Sequence, residues 1–131
     1  EYCVSRAADM LNRRFAKALN GAKVLVLGVA YKQDIDDYRE SPAIEVYMNL
    51  RKEGADVCYF DPFIPEFRHK GETVKGEPEL SAELLESCDL VVVTAAHTKV
   101  DYEFVQAHAK AIFDTKNVMK AVSVRDNIEV L

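Results

Sequence analysis

The stretch Gly28-Val29-Ala30-Tyr31-Lys32-Gln33-Asp34-Ile35-Asp36-Asp37-Tyr38-Arg39-Glu40-Ser41-Pro42-Ala43 crowds a lysine, an arginine, two aromatic rings and three aspartates into one segment. It follows a strand-like apolar run, Lys23-Val24-Leu25-Val26-Leu27, and leads into a helical pattern. Loops at the carboxyl ends of parallel strands are where open α/β sheets bind ligands. Three more loops follow strand-like runs. They contribute Asp61, then Thr94 and His97, then Asp114, Thr115 and Lys116. Lys32, Arg39 and Lys116 are suited together to hold a diphosphate through charge-assisted hydrogen bonds. Tyr31 offers a face that can pack on a flat ring.

Each residue also has a plainer use. Lys32 and Arg39 would serve equally to neutralise Asp34, Asp36 and Asp37 in a solvated cluster. Asp61 before Pro62 reads as a strand-ending turn residue, and Thr94 as a hydroxyl satisfying backbone at a strand end. His97 reads as a surface or turn histidine, His69 and His108 as surface residues, Tyr38 and Tyr59 as packing. Gly28 lacks the rest of a GxGxxG fingerprint and no GxxxxGKS is present, so neither the usual dinucleotide loop nor a P-loop is found. Cys3, Cys58 and Cys88 are odd in number and lack CxxC spacing, which argues against zinc and against a disulfide framework. They read as small buried hydrophobes, and no metal site is expected.

The elements that must position these loops alternate. Residues 2–18 carry Val4, Ala7, Ala8, Leu11, Phe15 and Ala18 at helical spacing, with Asn20-Gly21 as the stop. Strands are expected at 23–28, 56–60, 89–94 and 111–114. A helix starts at Ser41-Pro42 and ends at Gly54, with Ser as N-cap and Pro at the first position. Ser81 and Asp101 cap two further helices. The polar loop to about residue 78 contains a possible short strand at Glu72-Thr73-Val74, and residues 117–130 are expected to hold a short helix and a final strand. Strands alternating with helices imply a doubly wound, Rossmann-like parallel sheet, a three-layer α/β/α arrangement preceded by the tail of a longer connecting helix.

With 131 residues the chain has the size of one domain with a real core. The net charge of -5 disfavours nucleic acid as a partner. No apolar run is long enough for a membrane span. No signal peptide is visible, which suggests a cytoplasmic protein. The opening Glu1-Tyr2-Cys3-Val4 falls in mid-pattern without an initiator Met, and reads as a piece of something longer.

The run from Gly28 to Ala43 resembles the C-terminal, UDP-binding domain of the UDP-glucose/GDP-mannose dehydrogenase family. The resemblance continues, in order, through Tyr59-Phe60-Asp61-Pro62-Phe63-Ile64-Pro65-Glu66, Asp89-Leu90-Val91-Val92-Val93-Thr94 with His97, and Ile112-Phe113-Asp114-Thr115-Lys116-Asn117. The wording is most similar to the bacterial and archaeal branch that oxidises UDP-N-acetylhexosamines. The resemblance implies that residues 1–20 end a central dimerisation helix and that 21–131 form the UDP-sugar-binding domain. It implies that Tyr31, Lys32 and Lys116 contact the UDP-sugar. Lys116 stands where many members have Arg, replacing a bidentate fork with a point charge. It implies that Arg39 reaches NAD held by a preceding domain, and that the full-length enzyme is a homodimer. In the family, the C6 alcohol of a UDP-hexose becomes a carboxylate by two hydride transfers to NAD, through a cysteine-held intermediate. That cysteine lies upstream, so this segment is expected to bind and position without catalysing.

Two other readings remain. Asp61, Thr94 and Lys116 imitate the order of acid, hydroxyl and lysine in a signalling receiver domain, although the loop after the first strand lacks the acidic pair a receiver uses for magnesium. A stand-alone nucleotide-binding regulatory module would also fit the pattern.

Overall fold

A computed structural model describes residues 2–32 and 34–131; Glu1, where the chain opens, and Gln33, in the first loop, lie outside them. The elements run α1 (Tyr2–Phe15), β1 (Lys23–Leu27), α2 (Pro42–Lys52), β2 (Asp56–Phe60), β3 (Glu66–His69), β4 (Glu72–Lys75), α3 (Ala82–Ser87), β5 (Leu90–Val93), α4 (Tyr102–His108), β6 (Ile112–Asp114) and β7 (Ile128–Val130). The main sheet has the order β2-β1-β5-β6-β7 and every neighbouring pair is parallel. The fold is Rossmann-like α/β/α, as the alternation of strands and helices implies.

The pleat sorts the core into two halves. Val24, Val26, Leu90, Val92 and Phe113 face one side and pack with α1 and α2. Leu25, Leu27, Val91, Val93, Ile112 and Ile128 face the other and pack with α3 and α4. A strand covered on both faces is apolar throughout, which is why Leu90 to Val93 are all buried. The caps at Ser41, Ser81 and Asp101 form as expected, each side chain accepting from a backbone N–H in the first helical turn.

The α1 helix is part of this core. Its Val4, Ala7, Met10 and Leu11 are buried. Arg13 and Arg14 each reach Glu129 on β7 at 2.8 Å, and the Arg6 guanidinium lies 4.9 Å from the ring centre of Phe113 on β6. It ends earlier than expected. Ala16 adopts the left-handed conformation at φ 54°, and residues Leu19 to Ala22 close a separate turn.

Two expectations change. The strand at Glu72 to Val74 gains a partner, so β3 and β4 form an antiparallel hairpin closed by Lys70-Gly71, both at positive φ. Its Phe67 joins Tyr38, Tyr47 and Tyr59 with ring centres 5.2 to 6.0 Å away, so the packing reading of Tyr38 and Tyr59 holds. The short helix expected within residues 117–130 does not form. The Asp114 carboxylate accepts from the N–H groups of Lys116, Val118 and Met119, and Arg125 donates to the carbonyls of Met119 and Val122. Side chains answer those backbone groups in place of a helix.

Candidate functional site

The register sets Phe60, Leu27, Val93, Asp114 and Val130 side by side across the sheet. The loops carrying the chemistry therefore start level along one rim. The strand order reverses between β1 and β5: the chain goes from β1 outward to β2, then returns to β5 on the other side. A crevice at that reversal is the expected ligand position in an open α/β sheet.

A cleft of about 370 Å³ lies there. Its walls are Ala30, Tyr31 and Lys32 after β1, Thr94, Ala95 and Ala96 after β5, and Lys116 after β6. The volume is at the small end for ligand sites. Tyr31, Lys32 and Lys116 are thus brought together. Tyr31 is half exposed, and the Lys32 ammonium lies 5.9 Å from its ring centre. Among the described residues neither Lys32 nor Lys116 takes part in an ion pair. Against a chain of net charge -5, the cleft is a local basic pocket.

Close packing forms the floor. Gly28 stands at φ +94°, and a Cβ there would meet the Cβ of Ala95 at 2.5 Å. Only glycine lets the two loops approach so closely. The Thr94 hydroxyl donates to the carbonyls of Leu27 and Gly28, in line with its backbone-satisfying reading. The Ser41 hydroxyl, while capping α2, donates to the Ala30 carbonyl at 3.3 Å. Under Lys116, the buried Asp114 gathers the N–H groups of the turn that carries it.

Arg39 sits apart from the cleft. It is paired with Asp37 at 2.9 Å, and its side chain is 84% exposed. That pairing holds the Asp37 carboxyl down at about 2, the Arg39 hydrogen bonds being the main cause. Neutralisation of the acidic cluster therefore applies to Arg39 with Asp37 and not to Lys32. Arg39 and Tyr31 share a second hollow with Asp37 and Glu40, so the Tyr31 ring borders both spaces.

His97 is not a surface residue: it is wholly buried. Its Nε2 lies 2.8 Å from Asp61 Oδ2, and its Nδ1 accepts the Asp34 N–H at 2.7 Å. Asp61 is more than a turn residue. Its Oδ2 also accepts from Val29 N–H at 2.8 Å and Ala30 N–H at 3.1 Å, and its Oδ1 from Phe63 N–H at 2.8 Å. Asp34 in turn accepts from the Thr98 N–H and hydroxyl. The Tyr102 hydroxyl, its pKa raised by burial, donates to the carbonyls of His97 and Ala95. The loops after β1, β2 and β5 are fastened through this knot. A carboxylate occupied by four partners in a buried site is not placed as a phosphoacceptor, which removes the basis of the receiver reading.

The histidines at 69 and 108 lie half covered at the surface, with His108 2.8 Å from Glu86. Cys88 is buried, and Cys3 and Cys58 are half buried. Among the described residues no group of acids, histidines and cysteines is placed to hold a metal ion, and no helix is long and apolar enough to cross a membrane.

Residues 25–121 match the UDP binding domain of the UDP-glucose/GDP-mannose dehydrogenase family. The chain is 33% identical over 129 residues to a UDP-glucose 6-dehydrogenase of Rickettsia bellii, covering 92% of this chain and 29% of that protein. It is 33% identical over 105 residues to a UDP-N-acetyl-D-mannosamine dehydrogenase of Methanocaldococcus jannaschii, covering 74% of this chain and 23% of the relative. Among solved structures, the UDP-N-acetyl-mannosamine dehydrogenase of Staphylococcus aureus superposes with TM-score 0.70 at 28% identity, over 98% of this chain and 29% of that one. The NDP-N-acetyl-D-galactosaminuronic acid dehydrogenase of Methanosarcina mazei superposes with TM-score 0.73 at 25% identity, over 99% and 27%. The chain thus spans under a third of the length of each of these proteins.

Proposed function

The chain belongs to the UDP-glucose/GDP-mannose dehydrogenase family, and on that footing we propose that it is the UDP-sugar-binding C-terminal domain of an NAD-dependent nucleotide-sugar 6-dehydrogenase. The whole enzyme, on this reading, is a cytoplasmic homodimer. It oxidises the C6 alcohol of a UDP-hexose, a UDP-N-acetylhexosamine by the wording of its motifs, to a uronic acid. The division falls after residue 20, with the preceding residues ending a connecting helix.

The supporting observation is the cleft at the strand-order reversal, where two ammonium groups that form no ion pair among the described residues converge with a half-exposed tyrosine ring. In this role Lys32 and Lys116 neutralise the diphosphate, and Tyr31 covers a flat ring of the ligand. Holding the nucleotide by its remote end fixes where C6 lies, so binding energy far from the reacting carbon orients it.

The loop after β1 lacks the sequence of the usual dinucleotide-binding turn. Gly28 stands without the rest of a GxGxxG loop, and the methyl group of Ala95 packs directly against it. NAD, the hydride acceptor, is therefore assigned to the preceding domain. Arg39 is the one contribution proposed from this side: its exposed guanidinium reaches across once Asp37 yields it.

Titrating the 131-residue chain with UDP, and separately with uridine, tests the reading by amide chemical shifts. Shifts centred on Tyr31, Lys32 and Lys116, larger for UDP than for uridine, are expected. Shifts centred elsewhere, or none at millimolar UDP, overturn it.

A further inference from the structure

We propose that His97 is a positioning residue of the cleft. Acting through the Asp34 backbone, it holds the Tyr31–Lys32 limb of the first loop against the loop after β5, and it does so as a neutral imidazole with its proton on Nε2. The effect on affinity rests on the UDP-binding reading; the hold itself does not.

The tautomer follows from the partners. The Asp34 N–H can only donate, so Nδ1, 2.7 Å away, must present a lone pair. The proton then lies on Nε2, pointing at Asp61 Oδ2 2.8 Å away. One ring thereby ties three segments: its own loop after β5, the loop after β1 through Asp34, and the loop after β2 through Asp61. Filling space needs no such arrangement, because an apolar ring would pack there without two oriented partners.

Asp34 needs holding. It stands at φ 60°, a conformation uncommon for any residue but glycine. Two contacts keep it there: its N–H on His97, and its carboxylate on the Thr98 N–H and hydroxyl at 2.8 and 3.0 Å. Both partners belong to the loop after β5, so Asp34 is one point where the two walls of the cleft are joined. Lys32 lies two positions upstream. Released from His97, Asp34 keeps only its carboxylate contacts with Thr98.

Several charged or titratable groups surround the ring. Asp61 faces Nε2, and an Asp34 carboxylate oxygen lies 3.7 Å from Nδ1. The Phe63 ring packs on the imidazole at 5.1 Å and carries the Lys99 ammonium 5.0 Å from its centre. The Tyr102 hydroxyl holds the His97 carbonyl. Protonating Nδ1 would turn an acceptor into a donor facing the Asp34 N–H, so the hold is lost in the imidazolium form.

Two substitutions separate positioning from packing. His97→Asn can place an amide oxygen where Nδ1 stands, keeping an acceptor for Asp34 while leaving Asp61 short of a donor. His97→Gln can place an amide N–H where Nε2 stands, serving Asp61 while leaving the Asp34 N–H unanswered. Imidazole nitrogen shifts of the wild-type chain, the Asp34 amide shift, and backbone order parameters for Tyr31, Lys32 and Asp34 are read without ligand; UDP affinity is read by titration. A bare Nδ1 with a protonated Nε2 is expected in the wild type. His97→Asn is expected to keep the order of Tyr31, Lys32 and Asp34 and to bind UDP within about threefold of wild type. His97→Gln is expected to move the Asp34 amide, loosen Tyr31, Lys32 and Asp34 and weaken UDP by about tenfold or more, a change of about 1.4 kcal/mol.

The proposal is overturned by the opposite tautomer, or by a His97→Gln chain whose Asp34 amide and loop order match wild type. It is also overturned if both variants lose affinity only in proportion to lost melting temperature. A wild-type chain that fails to bind UDP while the Asp34 amide responds as stated sinks the functional reading and leaves the positioning role standing.

Discussion

Gly28 and Ala95 are packed so closely that the missing side chain of the first is occupied by the methyl group of the second. The contact lies under the cleft and joins the walls after β1 and β5. Gly28→Ala should force those walls apart and strain a backbone at φ +94°. A loss of about 1–3 kcal/mol is expected from the overpacking, read as a lower urea midpoint with an unchanged slope. UDP affinity should fall with it, because Lys32 sits on one of the separated walls and would move away from Lys116 across the cleft.

Lys32→Ala and Lys116→Ala should each weaken UDP by about tenfold, as losing a charge-assisted hydrogen bond does. Uridine, which lacks the diphosphate, should bind as before. Lys116→Arg should keep the preference for UDP over uridine. Equal losses for UDP and uridine would contradict a phosphate role for either lysine; isothermal titration measures all three variants.

Leu11→Ala tests whether α1 is part of the core or an appendage. Leu11 is fully buried against the sheet. A loss of about 2–5 kcal/mol is expected for a leucine in a filled interior, measured by urea unfolding. A loss near zero would mean that α1 does not dock in solution.

Acid should loosen the α1–β7 contact. Hydrogen bonds from Arg13, and then from Arg14, hold the Glu129 carboxyl below its usual value. Above about pH 4.3, where an unfolded glutamate titrates, this contact contributes in full. As the pH falls further the unfolded chain takes up the proton first, and stability is lost until the folded carboxyl protonates too. Glu129→Gln should flatten part of that acid slope in urea midpoints and change little near neutrality.

Cys88 should resist alkylation in the folded chain. The neighbouring Cys58 thiol, acting against burial, lowers its pKa. A thiolate without access remains inert, and Cys88 is fully covered. Iodoacetamide followed by peptide mass spectrometry should find Cys88 labelled far more slowly in buffer than in urea.

What could be read from the residues divides along physical lines. The strand Leu90 to Val93 and the caps Ser41, Ser81 and Asp101 depend on neighbours a few positions away, so pattern and spacing reveal them. The hairpin was half legible. Glu72 to Val74 looks like a strand, but its partner Glu66–His69 has one buried apolar residue, Phe67, and that residue is explained only by the distant rings of Tyr38, Tyr47 and Tyr59. The convergence of Tyr31, Lys32 and Lys116 follows from topology alone, since loops after parallel strands share a rim. His97 could not be read in the same way. Its partners Asp34 and Asp61 lie 63 and 36 positions away, and a histidine four residues past a strand carries no sign of burial. The nearest signal was Asp61-Pro62 itself, an acid at a strand end whose other partners are backbone N–H groups that no side-chain pattern displays.

Arg6 donates both to the Tyr2 hydroxyl and to the Val130 carbonyl, so one side chain ties the first turn of α1 to the last strand, β7. A short linker could therefore splice tail to head, and new termini could be cut at Lys70-Gly71, away from the lysines of the rim. Such a circular permutant would weave the same five-stranded sheet from a rearranged order of segments, because the geometry of the rim depends on which strands lie side by side and not on the order in which the chain supplies them.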